Sequence, residues 1–299
     1  MRSLKGIGLL IVTNLLIMFT LIISGTILIN FVLPQFGIDL RGSIATNDFA
    51  WSLVFGFGGA FISLFLSKTL AKRGMRMQQV TSPSTPKEKV VFETVQQLAK
   101  REGIKMPEVW VYWDDVPNAF ATGPTRNNAM VAVSSGLAMN MNDNELRAVL
   151  AHEMGHVTNG DMLATTLLQG LMNTFVYFVA RLLARPVMER NYWMGFAVYM
   201  VLQFLLSILA MIPVCWFSRR REFRADAFAA DALGAQHMIS ALQKLDALSH
   251  QNAVAHQGEH HEEDALATMK IYGGFSGLFA THPPIEARVA ALRARQPRG

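Results

Sequence analysis

The stretch Asn142-Asp143-Asn144-Glu145-Leu146-Arg147-Ala148-Val149-Leu150-Ala151-His152-Glu153-Met154-Gly155-His156 decides the fold. Asn142 with Glu145 three residues later has the form of a capping box, so a helix opens here. Leu146, Val149 and Leu150 then fall on one face at helical spacing. Residues four apart on a helix share a face, so His152 and His156 point at one place. Two imidazoles in that relation supply two of the three protein ligands of a catalytic zinc, and Glu153 between them can reach a water in the open position. The helix reads on through Gly160-Asp161 towards a long apolar run, with no proline to stop it.

Working outward, the chain is unusually apolar. Of 299 residues, 51% are hydrophobic and 16% charged, where a soluble domain carries about 25% charged residues. Four runs reach the about 20 residues needed to span a bilayer: 7–33, 49–66, 162–183 and 193–217. The first follows Arg2 and Lys5, as a signal peptide would. Its apolar part far exceeds the about 7–15 residues of a signal sequence, so it reads as a retained anchor. Lys68, Lys72, Arg73 and Arg76 follow the second run, and Arg219, Arg220, Arg221 and Arg224 follow the fourth. By the positive-inside rule, both termini and the polar regions lie in the cytoplasm. Arg185 and Arg190, in the expected loop between the third and fourth runs, oppose that rule mildly.

The net charge of +5 sits at the ends of apolar runs and is therefore no nucleic-acid signal. Cys215, the single cysteine, lies inside an apolar run and is expected as a packed thiol. The chain has no G-x-x-x-x-G-K phosphate loop, which argues against ATP use. The expected architecture is a mainly α membrane protein with four transmembrane helices and a cytoplasmic α+β zincin-like catalytic domain with a small sheet. Its blocks are a hairpin at 1–67, the first part of the catalytic domain at 68–161, a second hairpin at 162–217, and the second part at 218–299.

In the first soluble block Thr85 caps a helix with Pro86 at its first position, and Gly103 ends it. Strands are expected at 109–113, 118–122 and 129–133, giving a small sheet with an exposed edge. The second soluble block reads as helices at 219–233, 236–248 and 285–295. Residues 250–264, rich in His and Glu, read as a polar loop; His237, His250, His256, His260 and His261 make no second metal site.

Two histidines need a third partner, and Glu222 is the best placed. The third and fourth runs form an antiparallel hairpin. His156 precedes it by about six residues and Glu222 follows it by about five, so both stand roughly 8–9 Å from the membrane surface. Asp226, one helical turn on, can accept the second ring N–H of a ligand histidine. Glu153 is the general base, passing a proton from water to the leaving amine. His282, before the rigid Pro283-Pro284, is the candidate donor to the oxyanion, with an ordinary loop histidine as the plainer alternative. The 118–122 strand is the edge chosen to hold an extended peptide.

Five motifs in order then carry a resemblance over essentially the whole chain. They are Pro117-Asn118-Ala119-Phe120-Ala121-Thr122-Gly123, Ala148 to His156, Asn159-Gly160-Asp161-Met162, Ser218 to Ala227, and Thr281-His282-Pro283-Pro284. Together they resemble the HtpX membrane zinc metalloproteases, bacterial relatives of the CAAX prenyl endopeptidases. The resemblance implies one zinc held by His152, His156 and Glu222, with Glu153 catalytic. It implies a substrate-binding strand at Asn118, Ala119 and Phe120, and places His282 and Arg288 near the reaction centre. It further implies stress-linked quality control in the bacterial inner membrane, with membrane proteins and unfolded proteins as substrates and some self-cleavage. A prenyl-protein processing protease, or a non-catalytic scaffold stabilised by zinc, are the alternatives.

Overall fold

A computed structural model describes residues 23, 26–37, 44–255 and 280–295. Most of the first apolar run and residues 256–264 of the His-rich stretch lie outside the described residues. After two short helical turns, Leu28–Val32 and Leu33–Gln35, the described elements are α1 (Ile44–Gly74), β1 (Met77–Gln79), α2 (Pro86–Arg101), β2 (Glu108–Tyr112), β3 (Ala119–Thr125), β4 (Asn128–Ser134), α3 (Ser135–Asn140), α4 (Asp143–Asn159), α5 (Asp161–Arg190), α6 (Tyr192–Leu233), α7 (Ala235–Ala255) and α8 (Ile285–Ala294). Among the described residues three helices are long and apolar enough to cross a membrane: Asn47–Gly74, Asp161–Arg190 and Tyr192–Leu233. They contain the second, third and fourth expected runs.

The chain divides into two compact units. The first takes the chain up to Leu64 together with Thr165–Val214. Here α1 and α5 meet through small residues. A Cβ at Gly56 would lie 2.6 Å from the Thr174 backbone nitrogen and 2.9 Å from the Gly170 carbonyl, so only glycine allows this approach. Arg181 Nε donates to Asp48 Oδ1 at 2.6 Å, giving each charge a partner among apolar helices. The link between α5 and α6 is Asn191 alone, whose Oδ1 accepts the Met194 N–H at 3.0 Å. This corrects the expected loop: Arg185 and Arg190 belong to α5, which runs through Pro186 without ending.

The second unit takes residues 65–164 with 215–299. Its sheet has the order β1-β2-β4-β3. The outer pairs are antiparallel and β2–β4 is parallel, with Val109 opposite Val131. Both β1 and β3 are edges. One face turns Val131 and Val133 onto Val91, Val95 and Leu98 of α2 and onto Leu146, Leu150 and Met154 of α4. α2 begins where expected, with Thr85 and Glu88 satisfying each other's backbone N–H groups.

On the other face Lys68 and Lys72 pair with Glu108 at 2.8 and 2.7 Å. Burial opposes the Glu108 charge, but hydrogen bonds from Lys68, Lys72 and Trp110 outweigh it and lower the pKa from 4.5 to about 2. Because the folded value lies below the unfolded one, the contribution is complete above about pH 4.5 and disappears as pH falls to about 2. Glu108→Gln is expected to cost about 1 kcal/mol near neutral pH, since the pair is partly exposed. Urea melts of the two proteins should converge towards the acid end of that window.

Two further expectations are corrected. α4 does not continue through Gly160. That glycine takes a left-handed conformation, φ +67°, and its N–H bonds back to the His156 and Val157 carbonyls, ending the helix. α7 extends to Ala255, so His250 begins no loop. β1 and α3 are additional elements not anticipated from the sequence.

Candidate metal centre

α4 carries His152, Glu153 and His156, and the C-terminal part of α6 carries Glu222 and Asp226. These helices touch at Gly155. A Cβ there would lie 3.0 Å from Ala225 Cα and 3.2 Å from Phe228 Cβ. The missing side chain lets Glu222 come within reach of both histidines. Gly155→Val is therefore expected to push the helices apart, costing about 1–3 kcal/mol by overpacking. Its metal content, measured on the folded fraction, should fall below that of wild type.

His152 Nε2 and His156 Nε2 stand 3.2 Å apart. His156 Nε2 is 3.3 Å from Glu222 Oε1, and His152 Nε2 is 3.6 Å from Glu222 Oε2. Donors around a tetrahedral zinc with bonds of about 2.0–2.1 Å are about 3.3 Å apart. The three side chains form the one His/Asp/Glu/Cys group of metal-holding geometry among the described residues. Glu222 is only 4% exposed, and its Oε2 makes no hydrogen bond of proper geometry despite charged neighbours within ion-pair distance. A buried carboxylate oxygen left in that state fits a cation.

The far side of each ring is held by a carboxylate. His152 Nδ1 lies 2.9 Å from Asp226 Oδ1, and His156 Nδ1 lies 2.8 Å from Asp161 Oδ2. With each Nδ1–H donating outward, both Nε2 lone pairs face the same point, an arrangement that repels unless a cation lies between. Burial disfavours charge on either ring, but the hydrogen bonds that the rings donate to the neighbouring carboxylates outweigh it and raise both pKa values, that of His156 to about 10. The group thus draws positive charge from any source. Behind it, Arg288 places Nε and Nη2 on the two Asp226 oxygens at 2.8 and 2.6 Å. Burial works against the guanidinium charge, and Asp226 with Glu222 and Glu153 more than restores it. His282 is 68% exposed and sets Nδ1 2.9 Å from Glu222 Oε2, so it stands at the rim.

Glu153 faces the edge strand. Burial raises its carboxyl pKa, the two histidines pull it down, Glu222 raises it, and the Ala121 backbone N–H within hydrogen-bonding reach lowers it. Strand register shows why that N–H is available. Ser134 N–H donates to the Asn118 carbonyl at 2.9 Å. Antiparallel pairs exchange hydrogen bonds at alternate residues, so Phe120 and Thr122 bond inward to β4 while Ala119 and Ala121 turn their backbone groups outward. The carboxylate beside the histidines therefore lies along the free edge of the sheet.

Residues 86–296 match the profile of peptidase family M48. The chain belongs to that family. Its M48 relatives include proteins named Protease HtpX. That of Idiomarina loihiensis is 43% identical over 98% of this chain and 100% of its own length. That of Haemophilus influenzae strain PittEE is 44% identical over 85% of this chain and 90% of its own. That of Tolumonas auensis is 42% identical over 97% and 99%. Among solved structures, the crystal structure of S. mikatae Ste24p superposes with a TM-score of 0.59 at 19% identity. The match covers 94% of this chain but 65% of that one, and at this identity it speaks for the fold alone. An M48 chain with three spanning-length helices is a membrane metalloprotease, a hydrolase of peptide or protein substrates.

The structure brings His152, His156, Glu222, Asp226, Arg288 and His282 together, with Glu153 beside them and Ala119 to Ala121 along the same edge. Sequence reasoning missed Asp161 and Arg221 as neighbours of the site. Arg221 contacts Asp161 Oδ1, and Asp161 holds His156. The available signal was the Gly160-Asp161 pair directly after the histidine helix, a glycine stop followed by an acid.

Proposed function

We propose that the protein is a zinc endopeptidase of the bacterial inner membrane that clears misfolded or damaged membrane proteins, with its catalytic side in the cytoplasm. His152, His156 and Glu222 hold the metal, Asp226 orients His152, and Glu153 is the general base. The observation that carries this reading is the convergence of three donors on one point, His152 and Glu222 buried and His156 half-buried, with Glu153 between them and the free edge of β3. When bound, zinc acts as a Lewis acid and brings the pKa of a water down to about 7.

The chain's own groups do the rest. Glu153 accepts the proton of the attacking water and returns it to the leaving amine, exchanging it through one carboxylate. Ala119 offers an outward N–H and C=O to the backbone of an extended substrate, with Asn118 and Phe120 flanking it on the same strand. His282, exposed at the rim, donates to the oxyanion. Main-chain pairing with little side-chain selection suits a protease that meets many damaged sequences.

Full-length protein in detergent should cleave casein and a destabilised membrane protein, lose both activities to 1,10-phenanthroline, and regain them with one equivalent of zinc. Cleavage that persists after complete metal removal would end the proposal. Ala119→Pro tests the edge separately. It removes an outward N–H and leaves the β3–β4 ladder intact, so KM should rise about tenfold, about one lost main-chain hydrogen bond, at unchanged metal content.

A further inference from the structure

Each donor histidine is backed by a carboxylate, and each carboxylate by an arginine. His152 is followed by Asp226 and Arg288, and His156 by Asp161 and Arg221. The first series joins α4, α6 and α8. The second joins α4, α5 and α6, and its arginine adjoins the third donor. We propose that Asp161 and Arg221 are a positioning pair that holds His156 as a metal ligand at a set separation from Glu222. This rests on the metal reading above and adds residues that neither helical spacing nor the donor set requires.

Three observations carry it. Asp161 is buried and uses both oxygens, Oδ2 on His156 Nδ1 at 2.8 Å and Oδ1 on Arg221. The left-handed turn at Gly160 makes this possible, because it stops α4 and starts α5 with Asp161 folded back beside the preceding turn. An acid in the first turn of a helix is also favoured by the helix dipole. Arg221 is itself constrained: its side chain is 15% exposed and its guanidinium lies over the Phe217 ring at 4.5 Å. Finally, Arg221 immediately precedes Glu222 in α6. The anchor of the His156 carboxylate and the third donor thus share one peptide unit, so a shift of either displaces both. The pair fixes the His156 tautomer with Nδ1–H outward and ties the ring to the helix bearing Glu222.

The test is a competitive zinc titration against a chromophoric chelator. It uses full-length protein in detergent and the Glu153→Gln background, which prevents self-cleavage. Asp161→Ala should weaken zinc about 10–100-fold, and Arg221→Ala by a smaller factor. Because Arg221 acts through Asp161, the double variant should bind no more weakly than Asp161→Ala alone. Asp161→Asn keeps the shape and one acceptor oxygen, and should fall between wild type and Asp161→Ala; it carries the test if the alanine variant does not fold. Zinc affinities of the Asp161 variants within about twofold of the parent would overturn the inference while leaving the metal site standing. Additive losses in the double variant would remove Arg221 from the pair. A parent that binds no zinc would instead refute the metal reading itself.

Discussion

Glu153→Gln is expected to reduce peptide cleavage by about 10³–10⁴-fold, about 4–5 kcal/mol of transition-state stabilisation, with zinc still bound at one per chain. Glutamine keeps the shape of the side chain and its reach towards the Ala121 N–H, but it cannot take a proton from water. The metal should stay because no donor is removed: the two Nε2 atoms and the Glu222 carboxylate are untouched. Cleavage rates paired with metal content on one preparation give the answer. Unchanged cleavage would assign the proton transfer to another group. Joint loss of cleavage and zinc would mean that Glu153 holds the site together instead.

Glu222→Ala should have a comparably large effect by the opposite route, through the metal. Structural zinc sites gain about 10–16 kcal/mol from four ligands, so one ligand is worth about 3–4 kcal/mol, or on the order of 10²–10³-fold in affinity. The substitution also strips a charge partner from Arg288 Nη1, 3.2 Å from Glu222 Oε2, and leaves the two histidines facing each other alone. Zinc content after dialysis against a weak chelator should drop well below one per chain, and cleavage with it. Arg288 and Asp226 still pair in this variant, so the helical fold by circular dichroism should persist.

The parts of the site that lie on one helix were legible in the sequence. His152, Glu153 and His156 follow from a capping box and a spacing of four, and the Asn142–Glu145 box is present as read. Glu222 and Asp226 could be chosen because they too are one turn apart, on a helix leaving an apolar run. What stayed hidden depends on backbone turns or long-range packing. Asp161 reaches His156 only because Gly160 adopts a left-handed conformation, and a glycine after a helical pattern does not say which way the chain leaves. Arg288 lies 62 residues beyond Asp226, a distance at which no periodicity applies. β1 is three residues long, too short for an alternating pattern to register. The edge position of β3 was expected, but which of its residues turn outward required the register set by Asn118 and Ser134.

Zinc K-edge X-ray absorption on the full-length Glu153→Gln protein tests the central claim most directly. The account predicts a single four-coordinate site with nitrogen and oxygen neighbours at about 2.0–2.1 Å and the multiple-scattering pattern of two imidazoles, reduced to one imidazole in His156→Ala. A sulfur shell, an octahedral all-oxygen shell, or an unchanged spectrum in His156→Ala would contradict it.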